Sequence, residues 1–184
     1  MELIYFLGKT VITFCLYVLI LRLWMQQVRI NFHNPITQFI VKVTQPIIGP
    51  LRRFIPSVGK FDYATWLLLY LVALIKILFI FSFIPINLPF NVDYLWFALV
   101  AILHAMGYLL FWLLLFRAVL SWISRGQSVP DEILYQLTEP LMAPIRRFIP
   151  PIGMIDVTFA IVAVVLMFMN YFATKIFGAL WIIL

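Results

Sequence analysis

Four stretches of the chain stay apolar long enough to cross a bilayer, which takes roughly 20 residues in a helix. They run over Leu3–Val28, Tyr63–Phe83, Tyr94–Ile123 and Val157–Ile183. The third holds no charged residue from Tyr94 to Phe116, and the fourth holds none from Val157 to Thr174. Lys9 and Arg22 frame a shorter uncharged run, Thr10–Leu21, in the first. That stretch is too long for a signal peptide and has no small-residue cleavage site, so it reads as a retained helix. Between the spans the pattern changes. Ile36, Phe39, Ile40 and Val43 fall at i, i+3, i+4 and i+7, one face of an amphipathic helix. Ile133, Leu134 and Leu137 repeat that pattern, with Asp131, Glu132 and Gln136 opposite. Asn34 before Pro35 predicts a capped helix start, and Ser128 with Asp131 resembles a capping box.

Composition settles the class. Hydrophobic residues make up 65% of the 184 and charged residues 11%, against about 45–50% and about 25% in soluble domains. The chain is therefore a small polytopic membrane protein of all-α class. The single cysteine, Cys15, excludes a disulfide framework and reads as a core packing residue. His33 and His104 are too far apart for a sequence-local metal motif. There is no phosphate loop, nucleophile elbow or intramembrane carboxylate pair, so no catalytic residue, cofactor or metal is predicted. The net charge of +6 is spread too thinly for direct nucleic-acid binding.

Where the charge sits sets the orientation. Arg29, Lys42, Arg52, Arg53 and Lys60 lie between spans one and two, and Arg125, Arg146 and Arg147 between spans three and four. The hairpin Ile84–Asp93 has no basic residue. Cytoplasmic loops carry the excess of Lys and Arg, so both connectors are expected inside and both termini outside. Trp24, Trp66 and Trp122 then fall near the inner interface and Trp96 and Trp181 near the outer one.

The chain also repeats itself. Thr44–Asp62 reads TQPIIGPLRRFIPSVGKFD and Thr138–Asp156 reads TEPLMAPIRRFIPPIGMID, identical at ten of nineteen positions. The shared positions include Pro46, Pro50, Pro56, Gly59 and Asp62, matched by Pro140, Pro144, Pro150, Gly153 and Asp156. Upstream, Arg22 pairs with Arg117 and Pro35 with Pro130. Two parallel two-span units follow, residues 1–93 and 94–184, together one membrane domain. Because proline removes an amide donor and obstructs helix interiors, the connecting helices are expected to end near Thr44 and Thr138. Beyond them a proline-rich wedge should lie at the inner leaflet.

Several polar residues are candidates for function. The pairs Arg52–Arg53 and Arg146–Arg147 read as topology determinants, or as a site for anionic lipid or a partner protein, since arginine suits bidentate phosphate contact. Asp62 and Asp156 read as N-caps of the following spans, open to pairing with those arginines. Lys9, Lys76 and Lys175 are expected to snorkel to the outer interface. His104 reads as a packed neutral histidine, or else as a proton relay or ion ligand, with Asn170 a polar partner on the fourth span, and Ala98, Ala101 and Ala105 as close-packing positions.

The two signature segments, each in a two-span unit, resemble the duplicated motif of the YggT family, which includes the YlmG proteins and chloroplast relatives. The resemblance implies an integral protein of the bacterial inner membrane without enzymatic activity. It associates bacterial members with osmotic or extracytoplasmic stress and ion tolerance, and plastid ones with membrane-complex assembly or nucleoid organisation. The expected function is a non-catalytic scaffold or accessory protein that engages anionic inner-leaflet phospholipid and unidentified membrane proteins. A small ion-transport or ion-regulating subunit, assembled as a homo-oligomer, is the alternative.

Overall fold

A backbone in hydrocarbon must satisfy its own polar groups, which an open chain does only as a helix. The computed structural model describes residues 1–30, 34–57, 61–84, 92–124, 128–149 and 158–184. All elements among them are helices: α1 Glu2–Val28, α2 Pro35–Phe54, α3 Tyr63–Phe83, α4 Asp93–Ser124, α5 Val129–Phe148, α6 Thr158–Phe177 and α7 Ala179–Ile183. By length and apolarity α1, α3, α4 and α6 can cross a membrane. The 20-residue helices α2 and α5 join α1 to α3 and α4 to α6.

Helix α3 packs between α1 and α4. Leu69, Ala73, Ile77 and Ile80 of α3 join Leu16, Leu19, Ile20 and Leu23 of α1 in one buried cluster. Ala98, Ala101 and Ala105 of α4 are fully enclosed in the same cluster. Without a hydrophobic drive between helices in lipid, such small residues let backbones approach closely. Gly8 shows the same constraint between α1 and α3: a Cβ there would stand 2.2 Å from Phe79 Cζ. A smaller cluster of Leu114, Met142 and Val162 ties α4, α5 and α6 together.

The ends of the helices follow from local chemistry. Arg29 closes α1 in the left-handed region at φ 58°, and the Ile30 amide donates back to the Met25 carbonyl at 3.1 Å. Asn34 caps α2 by accepting from the Ile36 amide at 3.1 Å, with Pro35 in the first turn. Ser128 and Asp131 form a reciprocal capping box on α5.

Three expectations are corrected. The prolines do not end the connecting helices, because α2 runs through Pro46 and Pro50 and α5 through Pro140 and Pro144. An interior proline costs about 3 kcal/mol in a helix, but these sit four apart on one exposed face of each helix. The carbonyls of Lys42 and Pro46 that lose their amide partners therefore lie on the accessible side of α2, where water or headgroups can bond them. Second, the last apolar stretch is not one helix to Ile183. It breaks at Gly178, whose φ of 57° starts the short α7. Third, Cys15 lies on the exposed face of α1 and not in the core.

The packing makes one direct prediction. Ala101→Leu has no space between α3 and α4 and should destabilise the detergent-solubilised protein by about 1–3 kcal/mol. Leu103→Ala, on the exposed side of the same helix, should leave the thermal midpoint nearly unchanged in the same scan.

Candidate functional site

The connecting helices are held by an arginine from the preceding span, the same way in each repeat. Arg22, near the end of α1 and only 6% exposed, donates to the Thr44 hydroxyl, and also to Gln45 Oε1 at 2.9 Å. Thr44 in turn donates to the Ile40 carbonyl at 2.6 Å, which aims its oxygen at the guanidinium. In the second repeat Arg117 donates to the Thr138 hydroxyl and to Glu139 Oε2 at 3.2 Å, while Thr138 donates to the Leu134 carbonyl at 2.6 Å. The Tyr135 ring covers the Arg117 guanidinium at 4.7 Å. Thus the Thr-Gln and Thr-Glu pairs that open the two signatures are receptors for the arginines of the spans. Trp24 adds a bond across the repeats, from its indole nitrogen to the Leu137 carbonyl at 3.1 Å.

The two arginines of each signature differ in role. Arg52 pairs with Asp62, Nη2 to Oδ2 at 2.5 Å and Nε to Oδ1 at 3.4 Å. Asp62 also accepts from the Thr65 hydroxyl at 2.5 Å and caps α3 through the Thr65 amide at 3.4 Å. Arg146 binds Glu139 at 2.9 and 3.1 Å, so Glu139 serves Arg117 and Arg146 together. Arg53 and Arg147, by contrast, are exposed, and each precedes a phenylalanine that faces outward: Phe54 is 84% exposed and Phe148 86%. Shallow grooves of about 550 and 540 Å³ lie along matched faces, with Lys42, Gln45 and Pro46 in one and Gln136, Glu139 and Pro140 in the other. Pro56 is exposed just past α2, whereas Gly59, Pro150, Gly153 and Asp156 lie outside the described residues.

A second group of polar side chains lies within the spans. Lys9 on α1 donates to the Ile183 carbonyl of α7 at 2.7 Å. His104 on α4 packs against Trp181 at 4.8 Å between ring centroids, and the Trp181 indole donates to Asn170 Oδ1 of α6 at 2.8 Å. Lys175 is exposed beside the Tyr171 ring. Lys76 overturns the snorkelling expectation: it is 0% exposed, and its amine has no hydrogen-bond partner among the described residues. It shares the buried face of α3 with Leu69, Ala73, Ile77 and Ile80, so its side chain is enclosed between helices before it can reach an interface.

Some of these roles left a signal in the sequence that residue spacing alone did not interpret. The offset that pairs Arg22 with Arg117 also pairs Lys9 with His104, and the offset of the signatures pairs Lys76 with Asn170. Polar residues thus recur at matched places in otherwise apolar spans. Recognising Thr44, Gln45, Thr138 and Glu139 as acceptors further requires the fold, because only the return of α2 and α5 along the spans brings them to the arginines.

The Asp62 pair carries a pH dependence. Burial pushes its carboxyl up, but the Arg52 guanidinium and the Thr65 hydroxyl and amide outweigh burial and hold it below the usual carboxylate range. Its stabilisation is then complete above the unfolded value of about 3.9 and is lost as pH falls through the lower folded value. Asp62→Asn should cost roughly 1–3 kcal/mol at neutral pH. Thermal scans should show the gap between wild type and variant narrowing as pH drops below about 4.

The family pattern described as CCB3/YggT matches residues 1–83 and 96–177, one block on each repeat unit. A Vibrio alginolyticus protein from the proC 3′ region is 46% identical over 178 residues, covering 96% of each chain. YggT of Escherichia coli K12 is 43% identical over 178 residues, 95% of this chain and 90% of its own. A Pseudomonas aeruginosa protein is 33% identical over 155 residues, 83% of this chain and 79% of its own. No solved structure matches the chain. Matched through both repeats, and by relatives of nearly its full length, the chain belongs to the CCB3/YggT family.

Proposed function

We propose that this is a non-catalytic accessory protein of the bacterial inner membrane that grips anionic phospholipid of the cytoplasmic leaflet through the ends of α2 and α5. One observation carries the reading. Each signature uses its first arginine in an internal ion pair and leaves the second exposed beside an outward phenylalanine, Arg53–Phe54 and Arg147–Phe148. A phenylalanine at the headgroup boundary buries apolar surface, while the neighbouring guanidinium meets phosphate oxygens. The excess of basic residues in the two connectors supports placing α2 and α5 on the cytoplasmic side and both termini outside. Held there by Arg22 and Arg117, the two ends form a paired lipid grip on which partner membrane proteins can assemble. The family resemblance supports osmotic or extracytoplasmic stress as its setting.

The grip is tested by native mass spectrometry of the detergent-solubilised protein titrated with phosphatidylglycerol or phosphatidylcholine. A juxtamembrane basic residue contributes about 1 kcal/mol on an anionic surface, so Arg53→Gln with Arg147→Gln should weaken phosphatidylglycerol retention about tenfold or more. Phosphatidylcholine retention should not change. Equal phosphatidylglycerol retention in wild type and double variant at low salt would reject the reading.

A further inference from the structure

The buried lysine of α3 needs a counter-charge that the described chain does not supply. Lys76 is 0% exposed with an unpartnered amine, inside a helix that spans the membrane. An uncompensated ammonium in such surroundings is among the most expensive groups a protein can bury. Every described acidic residue sits at a helix end or in a connecting helix, and those nearest in sequence are already used or distant. Asp62 is bonded to Arg52 and Thr65. Glu2 opens α1 about 10 Å of helix rise from Lys9, and Asp93 opens α4 about 16 Å from His104.

The polar groups at its depth on the neighbouring spans are Lys9 and His104. Gly8 of α1 abuts Phe79, and Phe97 of α4 stacks on Phe81, a register that brings Lys9 and His104 to within about 3 Å of helix rise of Lys76. Lys76 is enclosed, Lys9 and His104 are half-buried, and α7 lies over both of these, its Ile183 carbonyl bonded to Lys9 and its Trp181 ring against His104. The groups come from three helices of both repeats, at positions the repeat itself matches. Three nitrogen-bearing side chains at one depth, with no carboxylate beside them among the described residues, complement a small anion of single charge.

We propose that Lys76, with Lys9 and His104, forms an intramembrane binding site for a small monovalent anion such as chloride. The Lys76 ammonium supplies the enclosed charge-assisted bond, and Lys9 and His104 add donors at the same depth. The site lies some 20 Å of helix rise from the start of α3, toward the end away from the arginine grip. It is therefore separate from the lipid contacts proposed above.

Chloride-35 line broadening on the full-length protein in detergent micelles tests it, with gluconate holding ionic strength constant. Wild type should broaden the line saturably with chloride concentration. Lys76→Met, which removes the charge and keeps an unbranched side chain, should weaken that binding about tenfold or more. Lys175→Met, on the exposed face of α6, should behave as wild type. If Lys76→Met does not fold, as judged by gel filtration, Lys9→Met should weaken the signal in its place. Absence of saturable broadening in wild type, or equal broadening in a folded Lys76→Met protein, would overturn the proposal.

Discussion

An arginine near the connector end of a span must find acceptors or leave the span. In this protein the connector itself provides them. Arg22 and Arg117 reach the Thr44–Gln45 and Thr138–Glu139 pairs. The cost of placing a cation so close to hydrocarbon is thereby turned into an anchor that folds each connecting helix back along its span. Everything at this end follows from that anchor. It sets which face of α2 is buried, with Thr37, Ile40, Thr44 and Ile48 inward, and hence which face carries the prolines. It also delivers Arg52 to Asp62 at the start of α3, closing the first repeat on itself. In the second repeat Glu139 adds a negative charge where the first has neutral Gln45, and it holds Arg117 and Arg146 at once.

Much of the architecture is legible in the residues because lipid permits few alternatives. The expected bounds of α3, Tyr63–Phe83, are those observed, since a charge-capped apolar run has only one way to satisfy its backbone. The prolines show where such reasoning stops. A rule about one missing hydrogen bond does not say where the orphaned carbonyl points, and in both connecting helices it points to the accessible side. Lys76 shows the same limit. Its distance from the span's end suggests an easy reach to the interface, but its place on the packed face of α3 determines its surroundings. The spacing of Arg52 and Arg53 likewise could not tell which would meet Asp62. That depends on the rotation of α2, which the Arg22 anchor sets.

The repeat therefore builds two polar layers at different depths. One consists of the arginine anchors and the exposed Arg-Phe ends, matched almost residue for residue between units. The other consists of Lys9, Lys76, His104 and Asn170, matched in position but not in residue type. The first layer is symmetric along the chain and the second uneven, with the lysines of the second both in the first half. Small residues at the α3–α4 contact hold the layers in fixed relation, since Ala73, Ala98, Ala101 and Ala105 leave no slack between the helices.

Arg22 holds α2 against α1. Spin labels at Gln27→Cys and Lys42→Cys, both exposed positions, report on it in a Cys15→Ser background through their distance distribution in lipid nanodiscs. With Arg22 present the distribution should be single and narrow. With Arg22→Leu it should be broad and shifted to longer distances, because Thr44 and Gln45 of α2 lose their guanidinium donor. An unchanged narrow distribution in a folded Arg22→Leu protein would contradict the anchor.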